Sequence, residues 1–323
     1  MFDFIKKKNK SGIKKYKQLK VGLSLGGGAT RGFAHIGAVK AFEEAGITFD
    51  FIAGTSAGSL VGAFYASGMS SAEMIEIAKT IKEKDIRTSK ILLIPSKTTG
   101  IENLIIDNLG DIDIQDLPMP FSPVVVDIKS TEEIALRRGN LAKAVAGSCA
   151  VPGVFAPVEF EDKLLADGGL QNTIPADIPK LFGCDYVVSI DVNSTRAYGT
   201  ESNKLLDVMG ASIRILMKSN AIKGYVYSEV VIQPNLKRFK STSMLGYEEM
   251  IEEGYKATKE MMPTILELFQ RKPLKRKLKK EVIFAQSSNK VIENEYDVRL
   301  LKQNDTEEVQ EEEDRSAEKY SQD

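Results

Sequence analysis

An α/β fold, with a mostly parallel central sheet covered by helices on both faces, is what this sequence predicts. Three observations carry that expectation. Short apolar runs recur at Val21–Leu25, 49–53, 124–126, 164–166, Tyr186–Ile190 and Val230–Ile232, as strands buried on both faces require. Helical patterns separate several of them, at 31–45, Ala57–Ala66, 140–146, 205–221 and 247–271. Glycines punctuate the junctions, and the usual handedness of strand-helix-strand connections then favours a doubly wound core.

Taken in order, Val21–Leu25 reads as a short buried strand ended by Gly26-Gly27-Gly28. The helix over 31–45 carries Phe33, Ile36, Gly37, Val39 and Ala41 on a mixed face, and Gly46 closes it as a C-terminal cap. A second apolar strand covers 49–53, and a small-residue helix, Ala57–Ala66, stops at Gly68. Ser70 is placed to cap the helix that follows. After about Arg271 the composition changes to a basic run, one short apolar strand candidate at Val282-Ile283-Phe284, and then polar and acidic residues. The organisation read from this is a basic N-terminal leader at 1–19, one large domain at 20–271, and a charged, flexible tail at 272–323 whose last twenty residues are expected to be disordered. No repeat of solenoid-like period is present.

Composition narrows the function. The chain has 323 residues, is 42% hydrophobic and carries a formal net charge of -1. It is long enough for a substantial core, and it has no basic excess to displace counterions from nucleic-acid phosphates. Its 2 cysteines and 1 histidine make neither a disulfide framework nor a zinc site, so no metal and no organic cofactor is expected. The N-terminus lacks the apolar run of a secretory signal, and no stretch of about eighteen apolar residues offers a membrane span. A cytoplasmic location follows as the expectation. The leader interleaves Phe2, Phe4, Ile5 and Ile13 with lysines. Two readings stand for it: peripheral contact with an anionic membrane at its inner face, or a solvated leader.

Two glycine-rich turns carry candidate chemistry. Gly54-Thr55-Ser56-Ala57-Gly58 follows a strand and opens a helix. A serine on such an elbow projects its hydroxyl above the strand ends, and the helix N-terminus aims N–H groups at developing negative charge. The plain alternative is a glycine-rich helix start with serine as its cap. Gly26-Gly27-Gly28-Ala29-Thr30-Arg31-Gly32 presents backbone N–H groups into a concavity, which serves either a dinucleotide pyrophosphate or an oxyanion. The dinucleotide reading needs a third glycine where Arg31 stands and an acidic residue ending the second strand, whereas Asp50 opens it. The oxyanion reading fits better. Arg31 also reads as a solvated first-turn residue.

Asp167-Gly168-Gly169 is by itself a turn signal. The lone histidine, His35, lies upstream of Ser56 within a helix, among Phe33, Ala34, Ile36 and Gly37. A Ser-Asp-His order along the chain is therefore impossible, and His35 reads as a packed helix position. A carboxylate within hydrogen-bond reach of the serine is the remaining base.

These motifs, with Ser148-Cys149-Ala150-Val151-Pro152-Gly153 between them, make the chain resemble the bacterial patatin-like phospholipases over roughly 20–271. The resemblance implies a three-layer patatin-like sandwich and a Ser-Asp dyad, carried over to Ser56 and Asp167. It also implies an oxyanion hole from the N–H groups of Gly27, Gly28 and Ala29, with Arg31 as the loop's basic residue. Gly54, Gly58, Gly168 and Gly169 complete the motifs. The family often has a fourth glycine where this chain has Ala29, a position that matters if positive φ is needed there. The segment 148–158, with Pro152 and Pro157, is expected to shape the wall near Asp167. The implied activity is a phospholipase A-like lipid acyl hydrolase working through an acyl-enzyme, with a phospholipid or other fatty-acyl ester as substrate. The alternatives are a soluble carboxylesterase or thioesterase acting on small acyl substrates, and a catalytically silent interaction module.

Overall fold

In a computed structural model of the chain, residues 19–81, 96–194, 203–270 and 295–297 are described. The leader 1–18, most of the tail and the strand candidate at 282–284 lie outside them. The described elements run β1 (Val21–Leu25), α1 (Phe33–Glu44), β2 (Phe51–Thr55), α2 (Ala57–Ala66), α3 (Ser71–Thr80) and α4 (Thr99–Leu109). Then come β3 (Phe121–Asp127), β4 (Glu132–Leu136), α5 (Leu141–Ser148), β5 (Val158–Phe160), β6 (Lys163–Asp167) and α6 (Asp177–Leu181). The chain continues through β7 (Tyr186–Ile190), α7 (Leu205–Tyr227), β8 (Val230–Ile232), α8 (Tyr247–Gln270) and β9 (Glu295–Asp297).

The parallel sheet that the strand pattern predicts is its central part, ordered β3-β2-β1-β7-β8. An antiparallel extension, β6 and β5 beside β3 and β4 with β9 on its other side, was not legible. Helices cover both faces, and β1 shows how its residues alternate between them. A Cβ at Gly22 would overlap Pro179 of α6, whereas Leu25 reaches α2 at Gly62. Two further glycines bring α1 and α8 into backbone contact: a Cβ on Gly37 would overlap the Ile251 carbonyl, and one on Gly254 the Ala34 carbonyl. The helix expected at 31–45 begins as a 3-10 turn at Ala29–Gly32 before α1 proper. Gly46 closes α1 at φ +65, its N–H donating to Glu43 O at 3.0 Å. Ser70 caps α3 in a reciprocal box with Glu73.

The register on β3 decides where the site forms. Val124 pairs with Thr55 at the end of parallel β2, and Val125 pairs with Asp167 at the end of antiparallel β6. The C-terminal ends of two strands far apart in sequence therefore meet along one strand. This brings the residue after Thr55 to Asp167.

Candidate active site

Ser56 occupies the turn from β2 to α2 at φ 54 and ψ -125, a backbone conformation that few non-glycine residues adopt. What holds it there is close packing. A Cβ on Gly54 would come within 2.5 Å of the Gly58 carbonyl oxygen, and one on Gly58 would overlap the Leu25 carbonyl. The Ser56 N–H donates to Ser148 Oγ at 2.9 Å, and that hydroxyl donates onward to Val124 O at 2.6 Å. Ser148 thus ties the elbow to the β3 position that sets the register. Its place in the quoted motif was visible in the sequence; its role as a strut was not.

Asp167 is buried, and both readings of Asp167-Gly168-Gly169 hold in its surroundings. As in a turn, its Oδ1 accepts the Gly169 N–H at 2.8 Å. Among the described residues, its Oδ2 is buried without a hydrogen-bond partner of full geometry. Burial pushes the Asp167 pKa up to about 6, while the Ser56 hydroxyl beside it and the Gly169 N–H pull it back. The serine approaches closely enough to favour the carboxylate without a hydrogen bond of full geometry, which is common in sites without substrate. The Cys149 thiol lies near Ser56 and Ser59, and burial, then the Asp167 charge, pushes its pKa up, so it stays protonated.

The glycine loop after β1 is tied down by polar contacts. Gly26 N–H donates to Ile190 O at 3.0 Å, and Gly26 O accepts from His35 Nε2 at 2.8 Å. His35 is fully buried, and desolvation takes its pKa down to about 4, so it serves as a neutral donor that holds the loop. The Gly27 carbonyl accepts from Asn193 Nδ2 at 2.6 Å. The expectation of three oxyanion donors needs one correction. Gly27 N–H already donates to Thr173 O at 2.9 Å, so it is spent inside the protein. Among the described residues, no acceptor is found for the N–H groups of Gly28 and Ala29, and both residues line the cleft. Ala29 takes φ 50, the left-handed conformation in which the family's glycine would be unstrained.

Of the two readings of Arg31, as the loop's basic residue or as a solvated first-turn residue, the solvated one does not hold. Arg31 is neither a solvated residue nor part of the cleft wall: it is buried, and its Nε and Nη2 donate to Phe239 O at 3.3 and 2.9 Å. With Thr30 N–H on Ser241 O at 3.3 Å, it pins the loop to the segment leading into α8. Asp50, the residue weighed for a dinucleotide, accepts the Val21 N–H at 2.8 Å and belongs to the sheet's far end.

Ser56, Gly28 and Ala29 open into a cleft of about 370 Å³. Its walls are mainly aliphatic and aromatic, including Phe33, Leu60, Phe64, Ile101, Phe155 and Met217. Cys149, Val151, Pro152, Val154 and Phe155 form one wall, as expected of 148–158. Among the described residues, no group of three His, Cys, Asp or Glu side chains is placed to hold a metal ion. No helix among them is long and apolar enough to cross a membrane.

A polar cluster that the sequence did not point to lies beneath the site. Asn172 Nδ2 donates to Glu133 Oε1 at 2.6 Å and Asp177 Oδ1 at 2.8 Å, and Lys223 of α7 pairs with both carboxylates, at 3.1 and 2.5 Å. Asn172 O accepts the Thr55 hydroxyl at 2.8 Å, joining this cluster to the nucleophile turn. Burial, then Asp177, raises the Glu133 pKa. Burial opposes the Lys223 charge, but the two carboxylates outweigh it and raise its pKa.

Comparison with known proteins agrees with this geometry. Residues 23–180 match the family model described as patatin-like phospholipase. An uncharacterized NTE family protein of Mycobacterium tuberculosis is 34% identical over 185 residues, 55% of this chain and 50% of that protein. The neuropathy target esterase sws of Drosophila melanogaster is 30% identical over 270 residues, covering 73% of this chain and 19% of the relative. Lysophospholipase NTE1 of Mycosarcoma maydis is 28% identical over 283 residues, 76% of this chain and 15% of that protein. The chain thus spans at most about half the length of these relatives. Residues 23–180, just under half of this chain, therefore carry a patatin-like phospholipase domain.

Proposed function

We propose that this domain hydrolyses fatty-acyl esters of lipids, with Ser56 as nucleophile and Asp167 as its base. The observation that carries the reading is the meeting of Ser56, which lines an apolar cleft, with the buried, incompletely hydrogen-bonded carboxylate of Asp167 behind it. Ser56 Oγ attacks the ester carbonyl carbon while its proton passes to Asp167. The tetrahedral oxyanion takes the N–H groups of Gly28 and Ala29, each well-placed donor contributing about 3 kcal/mol. Collapse breaks the ester bond, and the leaving alcohol takes the proton from Asp167. An acyl-enzyme remains on Ser56. Water then attacks it, losing a proton to Asp167, and the fatty acid departs as Ser56 regains its hydrogen.

The apolar walls suit an acyl chain, and the cleft volume lies within the range of ordinary small-molecule sites. The relatives named as an esterase and a lysophospholipase support the same substrate class. Peripheral contact with an anionic membrane belongs to this proposal, since the substrate resides there. A fluorophosphonate should label the wild-type chain and not Ser56→Ala; labelling that survives the substitution defeats the assignment. Lipid analysis should find free fatty acid released from vesicle phospholipid by wild type and not by Asp167→Asn. Turnover confined to short p-nitrophenyl esters or thioesters would replace the lipid reading with that of a small-substrate esterase.

A further inference from the structure

Helix α7 is built the wrong way round for a helix that only covers a sheet. Facing the protein it carries Ala211, Ala221 and Gly224, all buried, with Asn220 and Lys223 engaged in polar contacts. Facing solvent it carries Val208, Met209, Ile215, Leu216, Ile222 and Val226, which are 43%, 51%, 55%, 56%, 61% and 74% exposed. Val208, Ile215, Ile222 and Val226 recur at spacings of seven and four along one line of the helix, with Met209 and Leu216 beside it and the exposed Ser212 and Ser219 between them. An exposed, largely apolar helix face of this length marks an interaction surface.

The same helix borders the cleft through Gly210, Ile213 and Met217. Across the mouth lies the loop containing Met244, which lines the cleft, and Leu245, which is 86% exposed. Lys237, Arg238 and Lys240 on that loop are exposed as well. Arg238 pairs with Glu253 at 3.5 Å, which leaves Lys237 and Lys240 as the cations on the loop whose Met244 lines the cleft; apolar side chains with such lysines nearby are the chemistry of attachment to an anionic lipid surface.

We propose that the outer face of α7, with Leu245 and its basic neighbours, is the surface on which this protein docks on an anionic membrane. Docking there sets the cleft mouth against the lipid that supplies the acyl chain. In this the inference rests on the lipid hydrolase reading above. A second copy seated on the same face would instead cover the opening. The helix also contacts the catalytic loops directly. Thr173, whose carbonyl takes the Gly27 N–H, donates its hydroxyl to Met217 O at 2.6 Å. Tyr225 OH hydrogen-bonds to Asp191, which in turn accepts the Asn193 N–H at 2.8 Å. Attachment through α7 therefore bears on the loop that holds Gly28 and Ala29.

The test is co-sedimentation of the full chain with phosphatidylcholine vesicles containing phosphatidylglycerol. Binding is read in the Ser56→Ala background, so that it does not depend on turnover. The combined change Leu216→Gln, Ile222→Gln and Val226→Gln should weaken vesicle binding by roughly tenfold or more, from the apolar area withdrawn from the lipid. With Ser56 intact, the same three changes should lower hydrolysis of vesicle phospholipid and leave a soluble p-nitrophenyl ester turned over within about twofold of wild type, since none of the three lines the cleft. Residues 1–18 are present throughout, so they cannot account for the difference. If the triple variant does not fold, Leu245→Gln serves as the same test, with a loss of about threefold. Undiminished vesicle binding by the variants, or no binding by the parent chain, overturns the proposal. So does a parent dimer that the triple change dissociates while vesicle binding stays the same, which would assign the face to a second copy. Absence of turnover with intact vesicle binding would count against the hydrolase reading and leave the docking surface standing.

Discussion

The turns that follow β1 and β2 lie side by side at the same edge of the sheet, and each bends through a non-glycine residue at positive φ, Ala29 at 50 and Ser56 at 54. They are held in different ways. The β1 turn is tied by hydrogen bonds from distant residues: His35, Thr173, Asn193 and the Phe239 carbonyl. The β2 turn is held chiefly by close packing around Gly54 and Gly58, with side-chain struts from Ser148, Thr55 and Ser59. The difference follows from what each presents. Donors must point outward with nothing to accept them, so the loop's other polar groups have to be satisfied elsewhere. A nucleophile needs only a rigid elbow and a base beside it.

The largest effects fall where the two turns meet. Ser56→Ala and Asp167→Asn should each lower kcat on a lipid ester by about a thousandfold or more, measured under single-turnover conditions. Asp167→Asn should also move stability the other way. The native pKa of Asp167 is about 6 against an ordinary 3.8, so ionising the buried carboxyl costs nothing below 3.8 and its full amount above about 6. Removing the charge should therefore stabilise the protein at pH 8, by up to about 3 kcal/mol, and leave it nearly unchanged at pH 3. Denaturant melts at the two pH values check this. The same ionisation governs the rate: kcat/KM should climb with pH and level off above an apparent pKa near 6, because the base works only when deprotonated.

Smaller substitutions separate the two kinds of support. Asn193→Ala frees the Gly27 carbonyl and should lower kcat about tenfold with little change in KM, if the donors it steadies act on the oxyanion as proposed. Ser148→Ala leaves the Ser56 N–H without its acceptor and should cost about 1–3 kcal/mol of stability along with turnover. If Asn193→Ala alters KM alone, the β1 turn binds substrate instead of stabilising charge. Ala29→Gly should do least: relief of the left-handed strain and the greater freedom of unfolded glycine oppose each other, within about 1 kcal/mol in a thermal melt.

Much of this was legible because it is local. A strand, a glycine-flanked serine and a small-residue helix declare an elbow within about twenty residues, and Gly46 and Ser70 mark helix ends through their own backbone chemistry. Strands β4, β5 and β9 and helices α4 and α6 were missed; all but α4 are short and weakly periodic, and pairing and packing define them. Arg31 misled because a charged residue beside a glycine turn looks solvated until the Phe239 carbonyl arrives from the far end of the domain.

The sequence alone determined the alternation of strands and helices, the glycine-flanked serine turn, and the impossibility of a Ser-Asp-His order, since each depends on neighbouring residues or on a count. Tertiary structure alone decided that Val124 and Val125 bring Thr55 and Asp167 end to end, that burial raises the aspartate, and that Thr173 takes one of the three expected donors. It also decided that α7 turns its apolar stripe outward. The physical reason is the same in each case. Hydrogen-bond partners, solvent exposure and local dielectric are set by chain segments far along the sequence, and no local pattern encodes their arrival.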